Sequence, residues 1–209
     1  MTRELQGSFR VHIVDDDDGV RRALGRLLKS TGLDVQAHSS GEELLADFAP
    51  QIPACAIVDM YLPKMNGFEL KRKISALSPR LPVIFLTGRG DIGMGVAAMK
   101  EGAFDFLTKP VEPEQFLAVI AAAKEHVAES ESCSRDAARY EERLKNLTPR
   151  EAEVMDAVVA GDLNKQIAHD LGLAEKTVKV HRARVMKKMG VRSVAELVRV
   201  SVTKRIDLS

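Results

Sequence analysis

The sequence predicts an α/β chain: a doubly wound five-stranded parallel sheet, then a linker helix and an all-α domain of four helices. Three observations carry that prediction. Short apolar, β-rich runs alternate with amphipathic stretches from about residue 10 to 127. A polar stretch rich in helix formers follows, KEHVAESESCSRDAARYEERLKN. From Thr148 onward the pattern is helical throughout, with breaks at Gly161, Gly172 and Gly190.

The apolar runs are VHIV before Asp15, LDVQAH at 33–38, ACAIVDM at 54–60, PVIFLT at 82–87 and AFDFLT at 103–108. Amphipathic stretches at 19–31, 41–48, 66–77, 91–101 and 113–127 separate and follow them. Five strand–helix units in a row specify parallel strands with helices on both faces. In such sheets the chemistry gathers at the carboxyl ends of the strands. The domains are expected at 10–127 and 147–209, joined by a linker helix at 128–146. In that linker Cys133, Ala137, Tyr140, Leu144 and Leu147 alternate at three- and four-residue spacing, which fits a packing seam. A solvated, frayed helix fits the same residues.

The bulk numbers narrow the class. With 45% apolar and 29% charged residues the chain is of ordinary globular composition, which argues against a fibre or a disordered chain. No apolar run approaches the roughly 20 residues of a membrane-spanning helix. The opening MTRELQGSFR has no apolar core of an export signal. Two cysteines, Cys55 and Cys133, are too few for a disulfide framework or a zinc site. A reducing cytoplasm is therefore expected. The net charge of +1 conceals a basic stripe. Seven basic and no acidic residues lie between Lys176 and Arg192, the footprint of a polyanion partner.

Four strand ends carry polar groups. Asp15-Asp16-Asp17-Asp18 follows VHIV, Asp59 closes ACAIVD, Thr87 closes PVIFLT and Lys109 follows AFDFLT. Singly, each has an ordinary explanation: a solvated acidic loop, a turn-forming aspartate, a capping hydroxyl, a lysine extended to water. Together they supply carboxylates for Mg²⁺, a nucleophile and two groups for phosphoryl oxygens.

The residues Asp15-Asp16, Asp59 in DMYLPKMNG, Thr87-Gly88 and Lys109-Pro110 closely resemble the receiver domain of bacterial two-component response regulators. HIVDDDD and LTGRGDIGM resemble its FixJ-like branch. The resemblance implies a flavodoxin-like receiver in which Asp59 accepts a phosphoryl group from a sensor histidine kinase. It implies Mg²⁺ held by Asp15, Asp16, Asp59 and the main-chain carbonyl of Tyr61, with Asp15 acting mainly through bound water. Lys109 and Thr87 would then meet phosphoryl oxygens, and Gly88 would leave them room. Phe106 takes the place of the switch aromatic, coupled to Thr87, and the surface at 91–107 that of a dimer interface. A cis peptide is implied at Lys109-Pro110. Asp17 and Asp18 are expected to be solvated. Tyr61 and Arg89 are expected to slow water's entry to the pocket.

At the other end, Thr148-Pro149-x-Glu151 reads as a helix start. Asn164 to Leu171, a turn at Gly172, and a helix opening at Ala174-Glu175 match a helix-turn-helix. On that second helix Val178, Val185 and Met189 share one face, with His181 on its flank. Lys176, Lys179, Val180, Ala183 and Lys187 share the opposite one. LTPRE, NKQIA, TVKVHR and VRS resemble the LuxR-type output domain of the NarL/FixJ family. The resemblance implies base reading by Lys179 and Val180 on double-stranded promoter DNA, with Ala183 beside them. Arg182, Arg184 and Lys188 would serve phosphates or the groove's flanks. Val194, Leu197, Val198 and Ser201 would offer a dimer face. RNA polymerase is a further expected partner, and a membrane is not.

Two rival readings follow from the residues. Asp16-Asp17-Asp18-Gly19-Val20 also fits the nucleophile motif of haloacid-dehalogenase-type phosphatases, which would make Asp16 the nucleophile of an enzyme. The other is a DNA-binding regulator whose receiver works without phosphorylation. The main reading is not an enzyme beyond its own phosphoryl transfer and dephosphorylation.

Overall fold

The computed structural model describes residues 9–88 and 92–207. The chain divides into two compact units, Met1–Glu131 and Ser132–Ser209.

The first unit has strands β1 (Arg10–Val14), β2 (Asp34–His38), β3 (Ala54–Asp59), β4 (Val83–Thr87) and β5 (Asp105–Thr108). They form one parallel sheet in the order β2-β1-β3-β4-β5. The helices are α1 (Asp18–Ser30), α2 (Gly41–Asp47), α3 (Gly67–Leu77), α4 (Ile92–Lys100) and the first part of α5 (Pro113–Lys145). Alternation along the strands splits the core in two. Val11, Ile13, Cys55 and Ile57 pack under Leu24 and Leu28 of α1 and Phe116 and Ile120 of α5. Val14, Ala56, Val58 and Phe85 pack under Leu44 of α2, Leu70 and Ile74 of α3 and Ala98 of α4. The central strand β3 is buried along its whole length, which explains its unbroken apolar run. Strand order reverses between β1 and β3, so a crevice opens at their carboxyl ends.

Two histidines interrupt the apolar filling. His12 on β1 and His38 at the end of β2 are both buried, with His12 Nδ1 3.1 Å from His38 Nε2. Burial, then His38 and Arg10, push His12 down to about 4, against an opposing pull from Asp34. Burial likewise lowers His38, opposed by Glu43 and Asp47. The unfolded chain therefore takes up protons on these histidines before the folded one does. Their contribution to stability is complete above pH 6.5 and is lost as pH falls toward 4. Urea unfolding should lose about 2 kcal/mol between pH 7 and pH 5, and His12→Leu should flatten that slope. An equally steep slope in the variant would remove the histidines as its cause.

The second unit holds the end of α5 with α6 (Pro149–Ala160), α7 (Asn164–Asp170), α8 (Glu175–Met189) and α9 (Val194–Asp207). Thr148 caps α6 in a capping box with Glu151, and Pro149 opens the helix. Gly190 ends α8 in the left-handed conformation, φ +64. Val154, Ile167, Val178, Val185, Met189 and Leu197 form the core.

The linker differs from the expected separate segment. It continues α5 without a break to Lys145, and Tyr140, Leu144 and Leu147 join the second unit's core. Tyr140 donates to or accepts from buried Ser201 across 3.1 Å. Cys133, expected on the same seam, is exposed. The seam therefore starts later than the spacing predicts, because only its last turns meet an apolar surface.

Candidate functional site

The loop after β1 places Asp15 fully buried and Asp16 exposed, and β3 delivers Asp59 beside them, 7% exposed. Lys109 follows β5, its backbone N–H donating to the Thr87 carbonyl at 2.7 Å. The Lys109–Pro110 peptide is cis, as expected. Thr87 is buried at the end of β4. All four sequence-selected strand ends thus meet at one edge of the sheet.

Lys109 is the hub of the cluster. Its Nζ donates to Asp15 Oδ2 at 2.6 Å and to Asp59 Oδ2 at 2.7 Å. The other Asp59 oxygen, Oδ1, accepts from the Tyr61 backbone N–H at 3.1 Å. Asp15 Oδ1 accepts from the Asp17 N–H at 2.9 Å. Burial pushes the Asp15 carboxyl above its ordinary range despite its bonds to Lys109 and Asp17. Burial pulls Lys109 down, but hydrogen bonds to Asp15 and Asp59 outweigh it and hold the ammonium above its ordinary value. One carboxylate oxygen each from Asp15, Asp16 and Asp59 lies within 4.8 Å of the others. Hard oxygen donors crowded in this way suit a small divalent cation.

Tyr61 is exposed at the rim, 63%. Arg89, expected near it, lies outside the described residues. Among the described residues nothing lies within 4 Å of a Cβ built on Gly88. The Phe106 ring sits against α4 at Gly95, where an added Cβ would lie 2.5 Å from its Cζ. It is half-buried and packed against the α2–α4 face of the core.

Asp17 and Asp18 are exposed, as expected, and each also has local partners. Asp17 caps α1, its Oδ1 accepting from Gly19 N–H at 2.7 Å and Val20 N–H at 3.2 Å. Asp18 pairs with Arg21 at 3.2 Å and Arg22 at 2.9 Å. An aspartate directly before an amphipathic run is an N-cap signal, so the cap was legible in the sequence.

In the second unit α8 exposes Lys176, Lys179, Val180, Ala183, Arg184 and Lys187, while Val178, Val185 and Met189 are buried. This is the two-faced helix the spacing predicts. Arg182 and Lys188 are instead occupied inside the domain. Arg182 donates to Asn164 Oδ1 on α7. Lys188 donates to the Glu151 carboxylate at 2.6 Å and the Asn146 carbonyl at 3.0 Å. Lys188 and the Thr148 cap hold buried Glu151 down at about 2. Arg143 of α5 donates to the Met189 carbonyl at 2.7 Å and lies over Gly190, finishing α8. These braces join residues far apart in the chain, and no local pattern announces them.

Comparison with known proteins agrees with both halves. Residues 11–121 match the family described as response regulator receiver domain, and 145–201 that described as bacterial regulatory proteins, luxR family. Nodulation protein W of Bradyrhizobium diazoefficiens is 42% identical over 92% of this chain and 85% of its own. Transcriptional regulatory protein FixJ of Rhizobium meliloti is 44% identical over 93% and 95%. The solved response regulator StyR is 39% identical, with a TM-score of 0.83 over 94% of this chain and all of its own. Both halves therefore have relatives of the same order and length, and the phosphatase motif at Asp16 is a local coincidence within a receiver. With its acidic pocket on one unit and a helix-turn-helix on the other, the chain belongs to the NarL/FixJ family of two-component response regulators, which are transcription regulators and not metabolic enzymes.

Proposed function

We propose that a phosphoryl group on Asp59 controls self-association of this chain and its binding to promoter DNA. The observation that carries the reading is the Asp59 carboxylate, at the mouth of the pocket between Lys109 and the Tyr61 N–H. An Asp59 oxygen attacks the phosphorus of a phosphohistidine on a sensor kinase. The new P–O bond replaces the P–N bond, and the imidazole leaves. Asp15, Asp16 and Asp59 fit Mg²⁺, with the Tyr61 carbonyl as a further ligand, and the ion supplies charge neutralisation for the transfer. Lys109, already poised between Asp15 and Asp59, follows the charge onto a phosphoryl oxygen. Thr87 donates its hydroxyl to another.

The output is carried by α8: Lys179 and Val180 read base edges, Ala183 lies with them in the groove, and Lys176, Arg184 and Lys187 meet phosphates. Arg182 and Lys188 support that helix from within the domain. Dimers read paired half-sites and engage RNA polymerase from the promoter, all in the cytoplasm. Among the described residues no helix is long and apolar enough to cross a membrane.

The switch runs from Thr87 to Phe106 and its seat on Gly95. Phosphorylation of the full chain should raise the dimer association constant about tenfold, read by sedimentation. Gly95→Ala removes the seat of the Phe106 ring and should narrow the gap between phosphorylated and unphosphorylated protein. A wild-type chain that associates equally in both states would leave the phosphorylation-independent regulator as the better reading.

A further inference from the structure

A second polar site adjoins the phosphorylation pocket, between α1 and the edge strand β2. It is a groove of about 310 Å³ in which α1 presents Arg21, Arg22, Arg26 and Lys29. That volume falls at the lower end of small-ligand sites. The floor is apolar, made by Val35 and Ala37 of β2 and by Gly25 of α1.

Three features are costly for a helix that has only to cover the sheet. Gly25 stands in mid-helix, where it costs about 1 kcal/mol relative to alanine. It is buried, yet among the described residues nothing lies within 4 Å of a Cβ built on it, so no packing contact there requires a glycine. Arg22, Arg26 and Lys29 form a row at i, i+4 and i+7 on one helix face, where like charges repel. The single acidic residue of the lining, Asp18, is committed to Arg21 and Arg22. The Arg26 and Lys29 side chains have no ion pair or hydrogen bond among the described residues. The groove is thus hollow, apolar beneath and uncompensated in charge above.

We propose that this groove binds a nucleotide, with its phosphates on Arg22, Arg26 and Lys29 and its base on the Val35, Ala37 and Gly25 floor. Guanidinium forks pair with phosphate oxygens in a bidentate manner, and a flat ring needs the space that Gly25 leaves open. Arg21 borders the groove and also donates to the Asp15 carbonyl at 2.6 Å, so the two sites share a side chain.

The test is a fluorescence titration of the full chain with N-methylanthraniloyl-ADP in EDTA, which keeps metal out of the carboxylate cluster. Saturable binding is expected, displaced by ADP and more weakly by pyrophosphate. The double variant Arg26→Glu/Lys29→Glu should bind at least about tenfold more weakly, as loss of charge-assisted hydrogen bonds implies. Gly25→Leu should also weaken binding while keeping or raising the thermal midpoint. Both variants should accept phosphate at Asp59 like the wild type, which verifies their fold. Unsaturable binding, displacement by pyrophosphate as good as by ADP, or wild-type affinity in the charge-reversed variant would each overturn the proposal.

Discussion

Radiolabelled phosphoryl donor should mark the wild-type chain with an acid-stable, base-labile acyl phosphate and leave Asp59→Asn at background. The substitution is a fair test because asparagine keeps an oxygen for the Tyr61 N–H or the Lys109 ammonium and fills the same volume. What it removes is the anionic nucleophile, and no other carboxylate takes its place. Asp15 is fully buried and bonded to both Lys109 and the Asp17 N–H. Asp16 is exposed and is itself one of the three clustered carboxylates. Lys109→Ala should leave the nucleophile in place but slow labelling about 10²–10³-fold, the usual effect of losing a preorganised charge at a transition state. Because Lys109 also neutralises Asp15, that variant leaves a buried carboxylate without its cation, so its thermal midpoint should fall as well. Peptide mapping decides the assignment: label on Asp16 would reinstate the phosphatase reading, and label on Asp59 closes it.

The same pocket marks how far the sequence could be read. Its members were legible because each stands at the carboxyl end of a strand, and the strand ends share one edge in a parallel doubly wound sheet. The apolar runs of β3 and β4, each buried at every position, marked the centre of the sheet in the same way. Pairings were not legible. Lys109 lies 94 positions from Asp15 and 50 from Asp59, and nothing local states that its ammonium bridges both. The Asp17 cap is written in the sequence but hidden in a run of four aspartates, which fits a solvated acidic loop equally well. The linker posed the opposite problem. Its few apolar residues fit a frayed helix until Tyr140, Leu144 and Leu147 are placed on the second unit's core, a partnership made entirely by tertiary packing. The seat of Phe106 is likewise a contact between α4 and β5 that depends on a glycine, Gly95, with no signal of its own.

On the DNA side, Lys179→Ala and Lys188→Ala should fail in different ways although both remove a lysine from α8. Lys179 is exposed, 65% at its side chain, and is paired with Glu175 at a loose 3.9 Å. An exposed pair of that kind contributes little to stability. Its loss should leave the melting temperature unchanged, reduce affinity for selected operator DNA by about 1–3 kcal/mol, and relax base preference at one position. Lys188 instead neutralises Glu151, which is 2% exposed and is the reciprocal member of the α6 capping box. Removing it leaves that carboxylate buried beside the Thr148 cap without its cation, at a cost of about 2 kcal/mol in stability. Charge at the DNA surface changes little, so selected and unselected sequences should weaken together, in proportion to unfolding. Glu151→Gln tests the same contact from the other side: a neutral amide still accepts from Lys188, so it should destabilise less than Lys188→Ala. The two lysines are separated by measuring salt dependence as well as melting. A shallower salt slope with relaxed sequence preference in Lys188→Ala would move that residue from its contact with Glu151 to the DNA surface. An unaltered base preference in Lys179→Ala, with the slope reduced by about one, would place Lys179 on a phosphate.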